Sequence, residues 1–347
     1  MQAKNIIEYF EDAEDEKASL HQKKMKNGRV VKIKKSLSAI SIKTNRDTIS
    51  IQHESDIELL ETSFHFSYKP ALYEVSWLFS SLGQFYADQW FDDILRKVKG
   101  GKEASVYLCL ANEQVGVPYL AAKVYRPRQF RNLRKDHIYR EGRTILDGQG
   151  NVIQDHGQLH AIEKKTNLGK ELIHTSWLEH EVQTLQVLHE AGADVPKVYA
   201  SSTMTILMDY IGDENGCAPT LQEVHLGNKE ARILFDRVYH NIELMLSRGI
   251  IHGDLSAYNI LYWDGAITLI DFPQVVSPEK NPNAFFIFKR DVKRICEYFS
   301  RQGYEKNGEK MADDLWHKYR YRTSPFVDPA LLDPEDPEDR KIWEITT

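Results

Sequence analysis

The twenty residues from His252 to Asp271, HGDLSAYNILYWDGAITLID, leave the chain little freedom. Asp264-Gly265 is a dipeptide that favours a two-residue hairpin turn, and apolar runs flank it on both sides. A hairpin over residues 260–270 brings its two ends together, so Asn259 and Asp271 meet. Asp254 stands five residues before Asn259. Asp and Asn are poor strand formers, yet all three sit among hydrophobic segments. Each offers oxygen to a hard cation.

That pattern suits phosphoryl transfer. Transfer to a hydroxyl needs a carboxylate to orient the hydroxyl and accept its proton, and oxygen ligands for the metal that screens the phosphates. Asp-x-x-x-x-Asn supplies both from one loop, with Asp254 as base and Asn259 and Asp271 as Mg²⁺ ligands. No His or Cys cluster offers a competing metal site. Lys123, mid-strand in AAKVY, reads either as an exposed lysine on a sheet face or as a cation for nucleotide phosphates paired with Glu181. The three polar residues in the right order favour the second reading. KGGKEAS at residues 99–105 lets backbone amides approach phosphate, but it matches neither G-x-G-x-x-G nor a Walker loop. The Ser105 hydroxyl is either a phosphate donor or an ordinary strand residue.

Along the chain, residues 1–70 mix an acidic stretch with the basic run KKMKNGRVVKIKK and read as a charged, weakly structured extension. Residues 71–97 are aromatic-rich, and Trp77, Phe85 and Ile94 at helical spacing predict a helical segment packing on the next domain. Two strands, residues 105–110 and 119–125, form a hairpin. The polar stretch 126–175 is long for a loop. A helix follows over 177–191, with Leu178, Val182, Leu185 and Leu188 on one side and Gly192 as its cap. Residues 195–199 and 205–210 read as short strands. A helix over 229–248 carries Leu234, Val238, Ile242, Met245 and Leu246, and another runs over 285–299. The expected architecture is α+β: a small β-rich N-lobe followed by a mainly helical C-lobe.

The net charge of −6 argues against bulk affinity for nucleic acid. Cys109, Cys217 and Cys296 form no CxxC pair and no disulfide framework. No apolar run is long enough to span a bilayer, and the N-terminus lacks a signal-peptide core, so the expected location is cytoplasmic.

KGGKEASVY, AAKVY, ILMDYIGDENGCAPTL, HGDLSAYNIL and LIDFPQVV together resemble the RIO family of atypical serine/threonine protein kinases over about residues 94–300. MDYIG and the insert after AAKVYRPRQF look closer to one subfamily, and IDFPQVVSPEKNPNAFFIFKRDVKRICEYF to another. With Gly253 after the histidine, the mixture points to a divergent branch. The resemblance implies a two-lobed protein-kinase-like fold at 98–305, with an N-lobe over 98–207, a hinge at 208–212 and a C-lobe over 213–305. Residues 306–347 would add a C-terminal helix and an acidic tail. It also implies ATP and Mg²⁺ as cofactors. Lys123 would bind phosphates and pair with Glu181. Lys102, Ser105 and nearby backbone would face the phosphates. Met208, Asp209 and Ile211 would line the adenine. Asp254 would be the catalytic base, and Asn259 and Asp271 the metal ligands. Asp271 would also be a candidate for a transient acyl-phosphate.

The expected reaction is ATP-dependent phosphoryl transfer, to the chain itself, to a protein substrate or to water. Pro273 after Phe272 limits flipping of that segment, and no A-P-E motif follows. One alternative is a nucleotide-switched ribonucleoprotein assembly factor. In that reading Arg126, Arg128, Arg131, Arg134, Lys135, Arg140 and Arg143 contact RNA phosphates, as in a ribosome-associated protein. Another is a small-molecule kinase of the aminoglycoside or choline type. His252 and Asp291 are expected to hold the loop rather than to do chemistry.

Overall fold

The structure, a computed structural model, describes residues 40–43, 48–51, 67–101, 103–126 and 142–321, the first two stretches by backbone alone. The chain divides into two compact units, Met1–Asn132 and Leu133–Thr347. Antiparallel strands dominate the first and helices the second, an α+β arrangement.

In the first unit, β1 (Ile40–Lys43) and β2 (Thr48–Ile51) pair antiparallel, with Ile40 opposite Ile51. The alternation ISI…ISI on either side of the polar TNRD is a period-two signal, and it lies inside the stretch read as a weakly structured extension. Helix α1 (Leu72–Ala87) buries Val75, Leu78, Leu82 and Phe85 along one stripe. The helix stops where Gln89 turns left-handed, at φ 59°, and Trp90 N–H donates to the Phe85 carbonyl at 3.0 Å. The chain then enters β3 (Phe91–Gly100). The expected helical segment over residues 71–97 is therefore helix only as far as Ala87. Ile94 is buried on a strand, not on a helix face with Trp77. A left-handed cap without glycine left no punctuation in the sequence.

β3 pairs with β4 (Ala104–Ala111), and β4 with β5 (Tyr119–Tyr125), both antiparallel. The hairpin expected for the last two is present. Beneath the sheet lies a polar cluster. The buried Glu74 of α1 accepts hydrogen bonds from the hydroxyls of Tyr107 and Tyr68 and from Lys97 Nζ, the last at 3.0 Å. Burial alone would raise the Glu74 pKa. The bonds from Tyr107 and Lys97, the Lys97 charge and the bond from Tyr68 outweigh it and hold the carboxyl below its ordinary value. Burial and the same carboxylate push the Tyr107 hydroxyl upward. Glu74→Ala strands a buried hydroxyl and a half-buried ammonium. It should cost about 3 kcal/mol, seen as a fall in Tm of roughly 5–10 °C. A Tm within about a degree of wild type would show that the cluster does not hold α1 to the sheet.

The second unit opens with α2 (His156–Glu163) and α3 (Asn167–Glu190). The side chains of Asp155 and Thr166 cap their first turns. A side chain at Gly169 would run into the Ala161 carbonyl, so glycine lets the two helices approach closely. The expected long loop at 126–175 thus contains a helix, and α3 starts ten residues before the expected 177. Its first turns carry too few apolar residues to show a stripe. β6 (Val198–Ser201) and β7 (Thr205–Asp209) pair antiparallel. Helix α4 (Asn228–Ser247) buries all five residues of its expected stripe. The hairpin of β8 (Ile260–Trp263) and β9 (Ala266–Leu269) follows, then α5 (Ala284–Arg301) and α6 (Gly308–Lys318). Trp316 of α6 is fully buried against Phe285 and Phe288, with ring centroids 5.0 and 5.6 Å away. The C-terminal helix is therefore part of this unit's core. The acidic tail beyond residue 321 lies outside the described residues.

Candidate active site

The site is built on the β8–β9 hairpin. Asp264 and Gly265 both have positive φ, 49° and 75°, the type I′ turn that the dipeptide favours. Ile260 pairs with Leu269. One step outward, Ile270 N–H donates to the Asn259 carbonyl at 3.0 Å. The strand ends are thus joined, and Asn259 and Asp271 flank the last bond of the ladder. The Asn259 amide nitrogen donates to the Asp254 carbonyl at 2.9 Å and lies 3.4 Å from its Oδ2. The amide nitrogen is spent on the loop, which turns Oδ1 the other way. Asp271 itself is left-handed, at φ 71°, a conformation that costs a non-glycine residue energy and clusters at functional sites.

The loop before the hairpin is held from below. Ile251 and Val276 exchange backbone hydrogen bonds at 3.0 and 2.9 Å. His252 Nδ1 accepts from Asp254 N–H at 3.3 Å, and Nε2 lies 3.1 Å from the Ile270 carbonyl. This pattern requires the tautomer with hydrogen on Nε2. Its ring packs on Phe272 at 4.6 Å. Gly253 has φ +85°, and a Cβ there would overlap the Gln274 carbonyl oxygen. The buried Asp291 of α5 accepts from Gly253 N–H at 2.9 Å, while Arg290 donates to the Gly253 carbonyl and to Asp291. Burial raises the Asp291 pKa, and the charge and hydrogen bond of Arg290 oppose the rise. His252 and Asp291 hold the loop, as expected.

The segment after Asp271 is equally tied. Phe272 is buried, and Arg143 donates to the carbonyls of Pro273 and Val275. Arg143, one of the residues considered for RNA contact, is thus bonded to the protein backbone. Arg128, Arg131, Arg134, Lys135 and Arg140 lie outside the described residues. Burial is the main reason His180 is lowered to about 4, and its ring meets the Thr144 carbonyl at 2.7 Å just beyond Arg143.

At the candidate hinge, Asp209 N–H donates to the Lys197 carbonyl at 3.0 Å, and the Ile211 carbonyl accepts from Ala218 at 2.9 Å. The Asp209 carboxylate accepts from Tyr199 and from Lys197 N–H. Met208, the next-to-last residue of β7, packs against the core. In the other unit, Lys123 faces Val106 across the β4–β5 ladder and is only 8% exposed. Glu181 on α3 is 1% exposed. Each is a charge withheld from water, which a protein tolerates only when the group is partnered. The reading of Lys123 as an exposed lysine falls.

Ser105 requires a correction. It pairs with Val124, one step from the Lys123 pair, so the strand period places it on the opposite face. It is fully buried on the Tyr107 side, where its hydroxyl cannot reach a phosphate held by Lys123. Gly101 N–H donates to the Ala104 carbonyl at 2.9 Å, closing a turn between β3 and β4. Lys102 lies outside the described residues. One residue escaped the sequence reading altogether. Arg294, on α5 one turn beyond Asp291, donates to Asp254 Oδ1 at 2.9 Å. The spacing Asp-x-x-Arg puts both on one helix face.

Among the described residues no three His, Cys, Asp or Glu side chains gather as a metal cluster, and no helix is long and apolar enough to cross a membrane. The oxygen pair Asn259 and Asp271 suits Mg²⁺, which takes one or two protein ligands and fills its shell with phosphate and water.

The description "RIO domain" matches residues 105–312, more than half of the chain. The chain belongs to the RIO family. It is 28% identical over 235 residues to the RIO-type serine/threonine-protein kinase Rio1 of Haloferax volcanii, covering 67% of this chain and 72% of that one. Serine/threonine-protein kinase RIO1 of Chaetomium thermophilum is 30% identical over 226 residues, 61% of this chain and 40% of its own. Serine/threonine-protein kinase RIO2 of Caenorhabditis elegans is 32% identical over 166 residues, 45% of this chain and 30% of its own. The chain thus spans less than half the length of these two eukaryotic relatives. Membership and these names support a RIO-type serine/threonine kinase function, and RIO kinases use ATP, generally with Mg²⁺.

Proposed function

We propose that this RIO-family chain transfers the γ-phosphoryl group of ATP to a serine or threonine hydroxyl, its own or a protein's. The observation that carries the reading is the bonded arrangement of Asp254, Asn259 and the Asp271 end of the hairpin. Asp254 orients the acceptor hydroxyl and takes its proton. Asn259 Oδ1 and Asp271 hold Mg²⁺, which when bound neutralises phosphate charge. Lys123 holds the phosphates, and the buried Glu181 belongs to the same machinery. The adenine meets Met208, the Asp209 carbonyl and the Ile211 N–H, since the other two main-chain groups are engaged by Lys197 and Ala218. Lys102 and the main chain at residues 101–105 approach the phosphates.

A second reading keeps the same residues. Water, or Asp271 itself, takes the phosphoryl group, and ATP hydrolysis switches the chain on and off a ribonucleoprotein. The left-handed backbone of Asp271, fixed on both sides, favours a carboxylate held for one task.

Radiolabelled ATP turnover with Mg²⁺ separates them, with label followed into phosphate and protein for wild type and Asp271→Asn. The expected result is acid-stable phosphoprotein, lost with Asp271→Asn and on chelation of the metal. Free phosphate with hydroxylamine-sensitive label would favour the switch. No turnover with ATP alone, restored by an aminoglycoside or choline acceptor, would replace both.

A further inference from the structure

The loop HGDLSAYN carries no lysine or arginine between His252 and Asn259. The cation at Asp254 comes from forty residues further on, on a different element, as Arg294. Helix α5 is well seated for this task, since Val292, Ile295 and Cys296 on either side of Arg294 in sequence are buried. One turn earlier Asp291 fixes Gly253 N–H. A single helix face therefore sets the backbone of the loop and the carboxylate that projects from it. Asp254 has one oxygen on Arg294 at 2.9 Å, and among the described residues its other has the long 3.4 Å approach of Asn259. The rotamer of Asp254 rests mainly on Arg294. The two side chains are 41% and 44% exposed, and an ion pair so exposed adds at most about 1 kcal/mol to stability. The fold gains little from this pair.

We propose that Arg294 is a positioning residue for the phosphoryl transfer, a proposal that rests on Asp254 being the base. It holds Oδ1 so that the carboxylate meets the acceptor in one orientation. In the step itself the acceptor O–H bond breaks and its proton passes to Asp254. The acceptor oxygen bonds to the γ-phosphorus as the bond to the β,γ-bridging oxygen breaks, and ADP leaves.

The test uses the full chain with Mg-ATP, comparing wild type, Arg294→Gln, Arg294→Lys, Asp254→Asn and the Asp254→Asn/Arg294→Gln double variant. Arg294→Gln should lower kcat by about ten- to a hundredfold, the scale of a misplaced catalytic group, with KM for ATP within about twofold. Arg294→Lys should recover part of the rate, since it restores the charge without the planar fork. The double variant should be no slower than Asp254→Asn, because the arginine acts through that carboxylate. Three results would overturn the inference while leaving the base in place. They are an Arg294→Gln rate at or above wild type, a loss confined to KM, or a further loss in the double variant. A wild-type rate in Asp254→Asn would remove the base assignment, and the inference with it.

Discussion

Asp254→Asn should lower phosphoryl transfer by roughly 10²–10⁴-fold, the contribution of a positioned general base. The substitution keeps the shape of the side chain and removes its ability to take a proton. Asn259 still finds the residue 254 carbonyl, its shorter partner, and Asp254 N–H still reaches His252. The loop should therefore stay folded, with Tm within about 2 °C of wild type, because only an exposed ion pair is lost. Label transfer and thermal melting on one preparation check both halves. Transfer within tenfold of wild type would mean that another group accepts the proton. A large fall in Tm would mean that Asp254 serves the fold.

The second large effect is expected at a residue with no side chain. Gly253→Ala should destabilise the protein by about 3 kcal/mol or more and remove turnover. The left-handed backbone costs alanine about 1–2 kcal/mol. The larger part comes from the Gln274 carbonyl, which a methyl group would displace. That carbonyl cannot retreat freely, because its neighbours Pro273 and Val275 are tied to Arg143 and Val276 is paired with Ile251. If residue 253 moves instead, the hydrogen bond to Asp291 opens and leaves a buried carboxylate short of a donor. A fall in Tm of roughly 6–12 °C is expected. Wild-type melting with wild-type turnover would show that the two segments part easily.

Legibility in the sequence followed the range of the interaction that shapes each element. The β8–β9 hairpin was readable because Asp264-Gly265 states its turn type locally, and with it came the bond from Ile270, the neighbour of Asp271, to the Asn259 carbonyl. The stripe of α4 was readable because five apolar residues repeat at helical spacing. The end of α1 was not, since Gln89 takes the conformation that glycine usually announces. The face of Ser105 became clear only with the register, because one residue of slip exchanges the two faces of a strand. Arg294 was hidden for another reason. It is one of several charges on a helix that reads as solvated on that side, and its partner is forty residues away.

That separation bears on how the molecule comes into being. The loop bearing Asp254 is synthesised well before Asp291 and Arg294, which lie 38 and 40 residues beyond their partners. At about 5–20 residues per second, the interval is roughly 2–8 seconds. During it a nascent chain gains Asp254, then Asn259 and Asp271, but not the helix that shapes the loop around them. The order of synthesis thus delays the shaping of the loop until α5 has docked, and an unfinished chain has all three polar residues without the bonds from Asp291 and Arg294 that arrange them.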